Sequence, residues 1–163
     1  MSGSEIQKLL ERLRSAREAV LSAIEGISEA EAHELPAPGE WTVAELLGHI
    51  EEIQPFWVSK AVLITSEDDP NVGRSAAERE QRIAAVTGHA QDSLAGLRQR
   101  VVAANDAAMA SVGGIDPKDL DRVGHRGEGK LVTASGLIQS LVAHLREHAR
   151  QITETLRMVR ETP

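Results

Sequence analysis

The sequence predicts an all-α protein folded as an antiparallel four-helix bundle with a long loop before the last helix. Apolar residues recur at helical spacing in four stretches, and segments rich in glycine, proline and polar residues separate them. The composition agrees, because aromatic residues make up only 2% of the chain while good helix formers abound. The length of 163 residues fits one domain, which we place at residues 1–163.

The first half of the chain predicts two of the helices. An apolar stripe predicts the first over residues 4–27, and a proline-rich loop follows at residues 33–40. Thr42 and Glu45 have the spacing of a capping box and begin the second helix, which continues to about residue 64. Pro55 lies inside it, and we expect the helix to resume beyond a kink or a π-bulge.

The second half predicts the other two helices. A second capping box begins at Ser75 and opens one long helix that ends before Gly113. Residues 115–131 contain several glycines and are interpreted as a long loop with one short turn of helix or strand. Thr133 caps the last helix, which runs to about residue 160.

The composition also excludes several classes of site and partner. There is no cysteine, so disulfides, cysteine-ligated metals and thiolate nucleophiles are excluded. The net charge of −7 argues against a nucleic-acid partner. No apolar run approaches the ~20 residues of a membrane span and the N-terminus lacks a signal-peptide core, so we expect no membrane partner and a cytoplasmic location.

Two histidines of the last helix lie on its apolar side. At 100° per residue, His144 falls at the edge of the apolar stripe and His148 near its middle. An i,i+4 pair of imidazoles can converge on one ion, as in helical metal motifs. The segment 144–148 also fits the H-x-x-E-H pattern of zinc peptidases, but Glu147 points away from the stripe centre and the chain is short for such an enzyme.

A third histidine has a similar position on the second helix. His49 lies beside the apolar face of that helix, so a bundle that pairs the second and fourth helices would bring His49, His144 and His148 together. Three neutral imidazoles with one open coordination position are typical of a catalytic metal site. The alternative is that these are core-edge histidines with ordinary hydrogen-bond partners.

Several other polar residues are weaker candidates. Glu52 lies one turn beyond His49 and could orient its imidazole, although an exposed helix face explains it equally well. Arg146 and Arg150 could hold a substrate carboxylate, but surface charge is the simpler interpretation. His125, in the long loop, could reach the mouth of a site.

Two segments carry a resemblance to a known family. Residues 41–49, WTVAELLGH, resemble the W-[ST]-x-x-[ED]-x-x-x-H motif of the DinB-like superfamily, which includes YfiT-like proteins. Residues 129–133 and 144–152 are similar to the family's G-x-x-[LV]-T and H-x-x-E-H-x-x-Q-I motifs. The resemblance implies a metal-binding triad of His49, His144 and His148, with zinc, nickel or a similar divalent ion as the cofactor.

The resemblance also implies two kinds of function. Some family members are transferases or isomerases that use a low-molecular-weight thiol such as bacillithiol, mycothiol or glutathione. We therefore expect a metal-dependent thiol transferase or hydrolase with a small-molecule substrate. The alternative is a non-catalytic metal-binding or stress-response bundle that acts as a homodimer. Mycothiol-dependent isomerases carry a second, C-terminal domain, and the 163-residue sequence is interpreted as one domain, so we do not expect their full mechanism to transfer. Residues 111–130 match no substrate motif.

Overall fold

The computed structural model describes residues 2–163, with side chains from residue 4 onward. The described chain is mainly helical. The helices in chain order are α1 Ser2–Ala23, α2 Glu29–His33, α3 Val43–Ser66, α4 Ala76–Gly88, α5 Leu94–Gly113 and α6 Ala134–Glu161. A 3₁₀ turn at Pro117–Asp119 and two short strands, β1 Val123–Arg126 and β2 Lys130–Thr133, separate α5 from α6.

Four of the helices form the bundle. α1 and α3 each pack against both α5 and α6, so the four helices surround one core. Leucine, isoleucine and valine side chains dominate this core, among them Leu13, Leu47, Leu97 and Leu141, none of which is more than 1% exposed. The predicted all-α four-helix fold is therefore confirmed. No helix among residues 2–163 is both long and apolar enough to cross a membrane.

The predicted helix caps are largely present. Thr42 accepts a hydrogen bond from the Glu45 backbone, and the Glu45 side chain accepts one from the Thr42 backbone, which completes a capping box. Thr133 similarly caps α6. At Ser75 only half of the predicted box forms, because the Glu78 side chain binds Lys60 instead. These caps fix where the helices of the site begin.

The prediction of one long third helix is wrong, because the chain forms two helices between residues 76 and 113. α4 ends at Gly88, and Ser93 begins α5 by accepting a hydrogen bond from the Gly96 backbone. α5 joins the bundle, whereas α4 packs on the outer side of α3. The apolar stripe that predicted one long helix does not follow a single buried face. Within α4, Val86 is buried but Ile83 is 63% exposed.

The long loop predicted before α6 contains a docked hairpin. β1 and β2 pair antiparallel, and Gly127 and Gly129 adopt positive φ in the turn between them. The His125 backbone donates a hydrogen bond to the Pro70 carbonyl at 2.9 Å and accepts one from Val72 at 2.8 Å. The segment after α3 therefore holds the hairpin in place.

Helix α3 continues through Pro55 as uninterrupted α-helix, so the predicted continuation is confirmed and the alternative of a π-bulge is not observed in α3. The kink stays a prediction. The preceding Gln54 is fully buried and connects two helices. Its Nε2 donates to the carbonyls of Ile50 and Val101 at 3.2 and 3.3 Å, and its Oε1 accepts from Asn105 Nδ2 at 2.9 Å. This buried polar pair joins α3 to α5.

We expect Asn105→Leu to lower the free energy of unfolding by about 1–3 kcal/mol, because it leaves Gln54 Oε1 buried without a donor. The double variant Gln54→Leu/Asn105→Leu removes both polar groups and should recover most of that loss. Urea unfolding followed by circular dichroism measures both values. Equal losses in the single and double variants would show that the unpaired Gln54 Oε1 is not the cause of the loss.

Candidate functional site

The three candidate histidines line one cleft beside α3. The cleft has a volume of about 470 Å³, and α3 and α6 supply its histidine wall. The opposite wall comes from the segment before α4, from α4 itself and from the end of β1. Its lining residues are His49, Ile53, Trp57, Gly73, Arg74, Arg79, Arg82, Arg126, His144 and His148. The pairing of the second and last predicted helices therefore brings the candidates together.

The imidazole rings lie close to one another in this wall. The ring centroids of His49 and His148 are 4.8 Å apart with the rings nearly perpendicular. Those of His144 and His148, one helical turn apart on α6, are 6.3 Å apart with the rings nearly parallel. His148 is thus the central ring of the three.

These spacings can be compared with those of a metal site. With Zn–N bonds of about 2.1 Å and tetrahedral angles, two ligating imidazoles have ring centroids about 5 Å apart. The His49–His148 spacing matches this value, whereas the His144–His148 spacing is larger. Within residues 4–163, no three side chains of His, Asp or Glu are arranged closely enough to hold an ion. Rotation of His144 would be needed, and the metal site stays a prediction.

His49 is the most buried of the three rings, with 5% of its surface exposed. Burial, together with the positive charge of His148, Arg82 and Arg74, lowers the pKa of His49 to about 3. Its Nδ1 is buried without a hydrogen-bond partner, and the nearest carboxylate oxygen, Glu52 Oε2, is 3.7 Å away. A neutral imidazole with an unpaired ring nitrogen is the form that binds a divalent ion.

The two histidines of α6 are also held in the neutral form. Burial lowers the pKa of both His144 and His148, and the positive charge of Arg82 acts in the same direction on each. His148 Nδ1 lies 3.0 Å from Gln151 Oε1, which can accept its proton in a hydrogen bond. That bond would leave Nε2 of His148 as the free ligand atom, an arrangement typical of metal-binding histidines.

Both tryptophans of the chain contact this histidine wall. The Trp41 ring meets His49 edge-on with centroids 5.4 Å apart. The Trp57 ring lies parallel to His144 at 6.3 Å, and the Arg126 guanidinium covers Trp57 at 4.6 Å from the ring centroid. The aromatic residues therefore form part of the site's supporting structure.

Close packing positions the opposite wall. A Cβ on Gly48 would lie 3.0 Å from both the Ala85 carbonyl oxygen and the His89 Cβ, so glycine allows α4 to pack tightly on α3. A Cβ on Gly124 would lie 2.8 Å from the Pro70 carbonyl oxygen, so glycine also allows the hairpin to dock. These two contacts bring α4 and Arg126 to the cleft.

Four arginines in the cleft were missed by the sequence analysis: Arg74, Arg79, Arg82 and Arg126. Arg79 and Arg82 are spaced i,i+3 on α4, which was the available signal, but such pairs are common on exposed helices. Arg126 lies in a segment interpreted as loop. Their placement depends on the break between α4 and α5 and on the hairpin.

The other candidates lie elsewhere or act indirectly. Arg146 donates to Ser15 at 3.3 Å and Arg150 pairs with Glu147, so neither reaches the cleft, which agrees with surface charge. The H-x-x-E-H glutamate is therefore on the exposed side of α6. His125 pairs with Asp69 and does not line the cleft. Glu52 pairs with Arg74 at 2.7 Å, and its carboxylate lies 3.7 Å from His49 Nδ1, too far to accept a hydrogen bond from it.

The sequence profile described as the DinB superfamily matches residues 12–152, which is most of the chain. The chain belongs to the DinB superfamily. This confirms the family that the tryptophan and histidine motifs indicated. No curated protein matches the sequence.

Two solved structures of the superfamily share the fold. One is YfiT from Bacillus subtilis, which is described as a probable metal-dependent hydrolase with an unusual four-helix bundle topology. Its sequence is 17% identical to this chain and the TM-score is 0.76. The match covers 93% of this chain and 86% of YfiT. A mutant of the mycothiol-dependent maleylpyruvate isomerase is 13% identical with a TM-score of 0.73, and the match covers 90% of this chain and 60% of the isomerase. At 17% and 13% identity, the similarity to these two structures establishes the fold alone.

Proposed function

We propose that this protein is a metal-dependent enzyme in which His49, His144 and His148 hold one divalent ion, zinc or nickel. The observation that carries the proposal is the histidine wall, in which the imidazoles of buried His49, half-buried His148 and exposed His144 from α3 and α6 line one cleft. Their lowered pKa values leave all three as neutral ligands near pH 7. The description of YfiT as a probable metal-dependent hydrolase supports the same proposal.

The chain's own residues would prepare the site for the ion. Gln151 fixes the orientation of the His148 ring by accepting from Nδ1, and Trp57 supports the face of His144. The ion would lower the pKa of a water molecule or thiol in its open position and so supply a nucleophile at neutral pH. The cleft beside the histidines has room for a small-molecule substrate.

The nucleophile would be a low-molecular-weight thiol or water. Since the chain has no cysteine, any thiolate must come from a co-substrate. The mycothiol dependence of the related isomerase supports a thiol, which would make this protein a thiol transferase, and the hydrolase description of YfiT supports water. Both reactions use the same histidine wall.

The test begins with the metal content of protein purified without a histidine tag. We expect about one divalent ion per chain by elemental analysis, and saturable binding when the metal-free protein is titrated with Zn²⁺ or Ni²⁺ in a calorimeter. Metal-loaded and metal-free samples are then assayed with a generic aryl halide plus bacillithiol, mycothiol or glutathione, and with an activated ester alone. Turnover should require the metal. Binding of less than a tenth of an ion per chain under saturating metal would contradict the proposal.

A further inference from the structure

The charge of the cleft is opposite to that of the protein. The chain has 25 acidic residues against 18 lysines and arginines, with a net charge of −7. The cleft, however, is lined by four arginines and by no aspartate or glutamate. A concentration of positive charge in a concave site on an acidic protein favours entry of an anion.

One of the four arginines already has an acidic partner. Arg74 binds both carboxylate oxygens of Glu52, at 2.7 and 3.1 Å, and lies over the Phe56 ring at 3.8 Å. Its positive charge is therefore balanced within the protein. Arg74 fixes the segment before α4 against α3 and is not counted as free to bind a ligand.

The other three arginines have no such partner. The ion pairs formed within residues 4–163 include Arg74 but not Arg79, Arg82 or Arg126. Arg79 and Arg82 project from one face of α4, whereas Arg126 ends β1, with its guanidinium held over Trp57. Three uncompensated charges from two separate elements thus line the cleft beside the histidine wall.

We propose that Arg79, Arg82 and Arg126 bind the substrate by its anionic groups, and that the substrate is a small organic dianion. The two negative charges of a dianion would neutralise most of the positive charge of the three arginines. Guanidinium groups also bind carboxylate and phosphate oxygens through paired hydrogen bonds. The proposal rests on the function proposed above only in assigning the reacting end of the substrate to the histidine wall. A cleft of about 470 Å³ fits a metabolite rather than a polymer.

The electrostatics of the histidines supports this arrangement. The positive charge of Arg82 contributes to the lowered pKa of His49, His144 and His148, so its guanidinium lies within electrostatic range of all three rings. An anion held by Arg82 and Arg126 would therefore lie next to the rings. The arginines fix the charged end, and the uncharged reacting group then faces His148.

Binding of simple dianions to the full chain tests the proposal without requiring turnover. Metal is removed with a chelator, the chelator is dialysed away, and the protein is titrated in a calorimeter at low salt with succinate, phenyl phosphate or uncharged succinamide. Each titration is repeated with Arg82→Gln, with Arg126→Gln, and with Arg146→Gln as a matched control from outside the cleft. Circular dichroism verifies that each variant is folded.

We expect saturable binding of at least one of the two dianions and none of succinamide. Arg82→Gln and Arg126→Gln should each weaken binding about tenfold, whereas Arg146→Gln should leave it unchanged. Tighter binding of succinate would assign a dicarboxylate, and tighter binding of phenyl phosphate a phosphomonoester. Absence of dianion binding, or equal weakening by all three variants, would overturn the proposal.

The dianion titrations and the metal titrations can succeed or fail independently of each other. Dianion binding by a chain that takes up no metal would support the arginine site and contradict the metal site. Stoichiometric metal without dianion binding would do the reverse. The arginine variants should still bind about one metal ion per chain, because no arginine is a ligand.

Discussion

His148→Ala is expected to weaken binding of the divalent ion more than a hundredfold while the bundle stays folded. His148 is the central ring of the histidine wall, 4.8 Å from His49 and 6.3 Å from His144 between centroids. Loss of a residue that merely orients a ligand costs about 10–100-fold in affinity, so loss of the ligand itself should cost more. The fold should survive because apolar side chains from four helices form the core.

Two control variants make this result specific. Gln151→Ala removes only the hydrogen-bond acceptor at His148 Nδ1 and should weaken binding of the ion by about 10–100-fold. His33→Ala, whose ring bonds backbone carbonyls of Glu29 and Asp92 outside the cleft, should leave metal affinity unchanged. Calorimetric metal titration and thermal unfolding measure the two properties separately. A His148→Ala protein that no longer folds would show that the site is structural.

In the metal-free protein, the free energy of unfolding is expected to decrease as pH falls below about 6.5. His49 has a pKa of about 3 in the folded chain, against an ordinary value of 6.5 when unfolded. Between these values the unfolded chain binds a proton at His49 that the folded chain does not, so acid favours unfolding. One such proton contributes up to about 1.4 kcal/mol per pH unit within this window, and well above pH 6.5 the contribution is constant.

Urea unfolding between pH 7 and 5 isolates this effect. Carboxylates whose pKa is lowered in the fold, such as Asp92 and Glu147, lose their contribution mainly at lower pH, because they titrate below 4.5. His144 and His148 also have lowered pKa values and act in the same direction as His49. We expect His49→Asn to make the dependence on pH shallower over this window. An identical slope in wild type and variant would show that the pKa of His49 is the same in the folded and the unfolded chain.

The sequence predicted the histidine wall because its three residues lie on helices with strong apolar periodicity. On such a helix the face of a residue follows from its spacing, so His49, His144 and His148 could be placed before any coordinates. The bundle also followed from the apolar stripes. The family motifs identified the same three positions and the DinB superfamily.

The arginines of the opposite wall, Arg79, Arg82 and Arg126, could not be predicted in this way, for two physical reasons. The polar helix α4 separates from α5 through a cap at Ser93, and the apolar spacing continues across that break. Arg126 reaches the cleft through a hairpin that is held by backbone hydrogen bonds at Pro70 and Val72, and such contacts leave little trace in composition. Long-range packing, rather than local preference, places these residues.

The tryptophan contacts have a practical consequence. Trp41 and Trp57 are the only tryptophans, the chain has no tyrosine, and each indole contacts one of the candidate histidines. Nearly all of the protein's intrinsic ultraviolet fluorescence must therefore originate beside the histidine wall. A paramagnetic ion such as Ni²⁺ held there would quench both emitters, and a ligand that displaces Arg126 from Trp57 would change only one. The proposed metal and substrate binding would thus be measurable in the unmodified protein by two distinguishable optical signals.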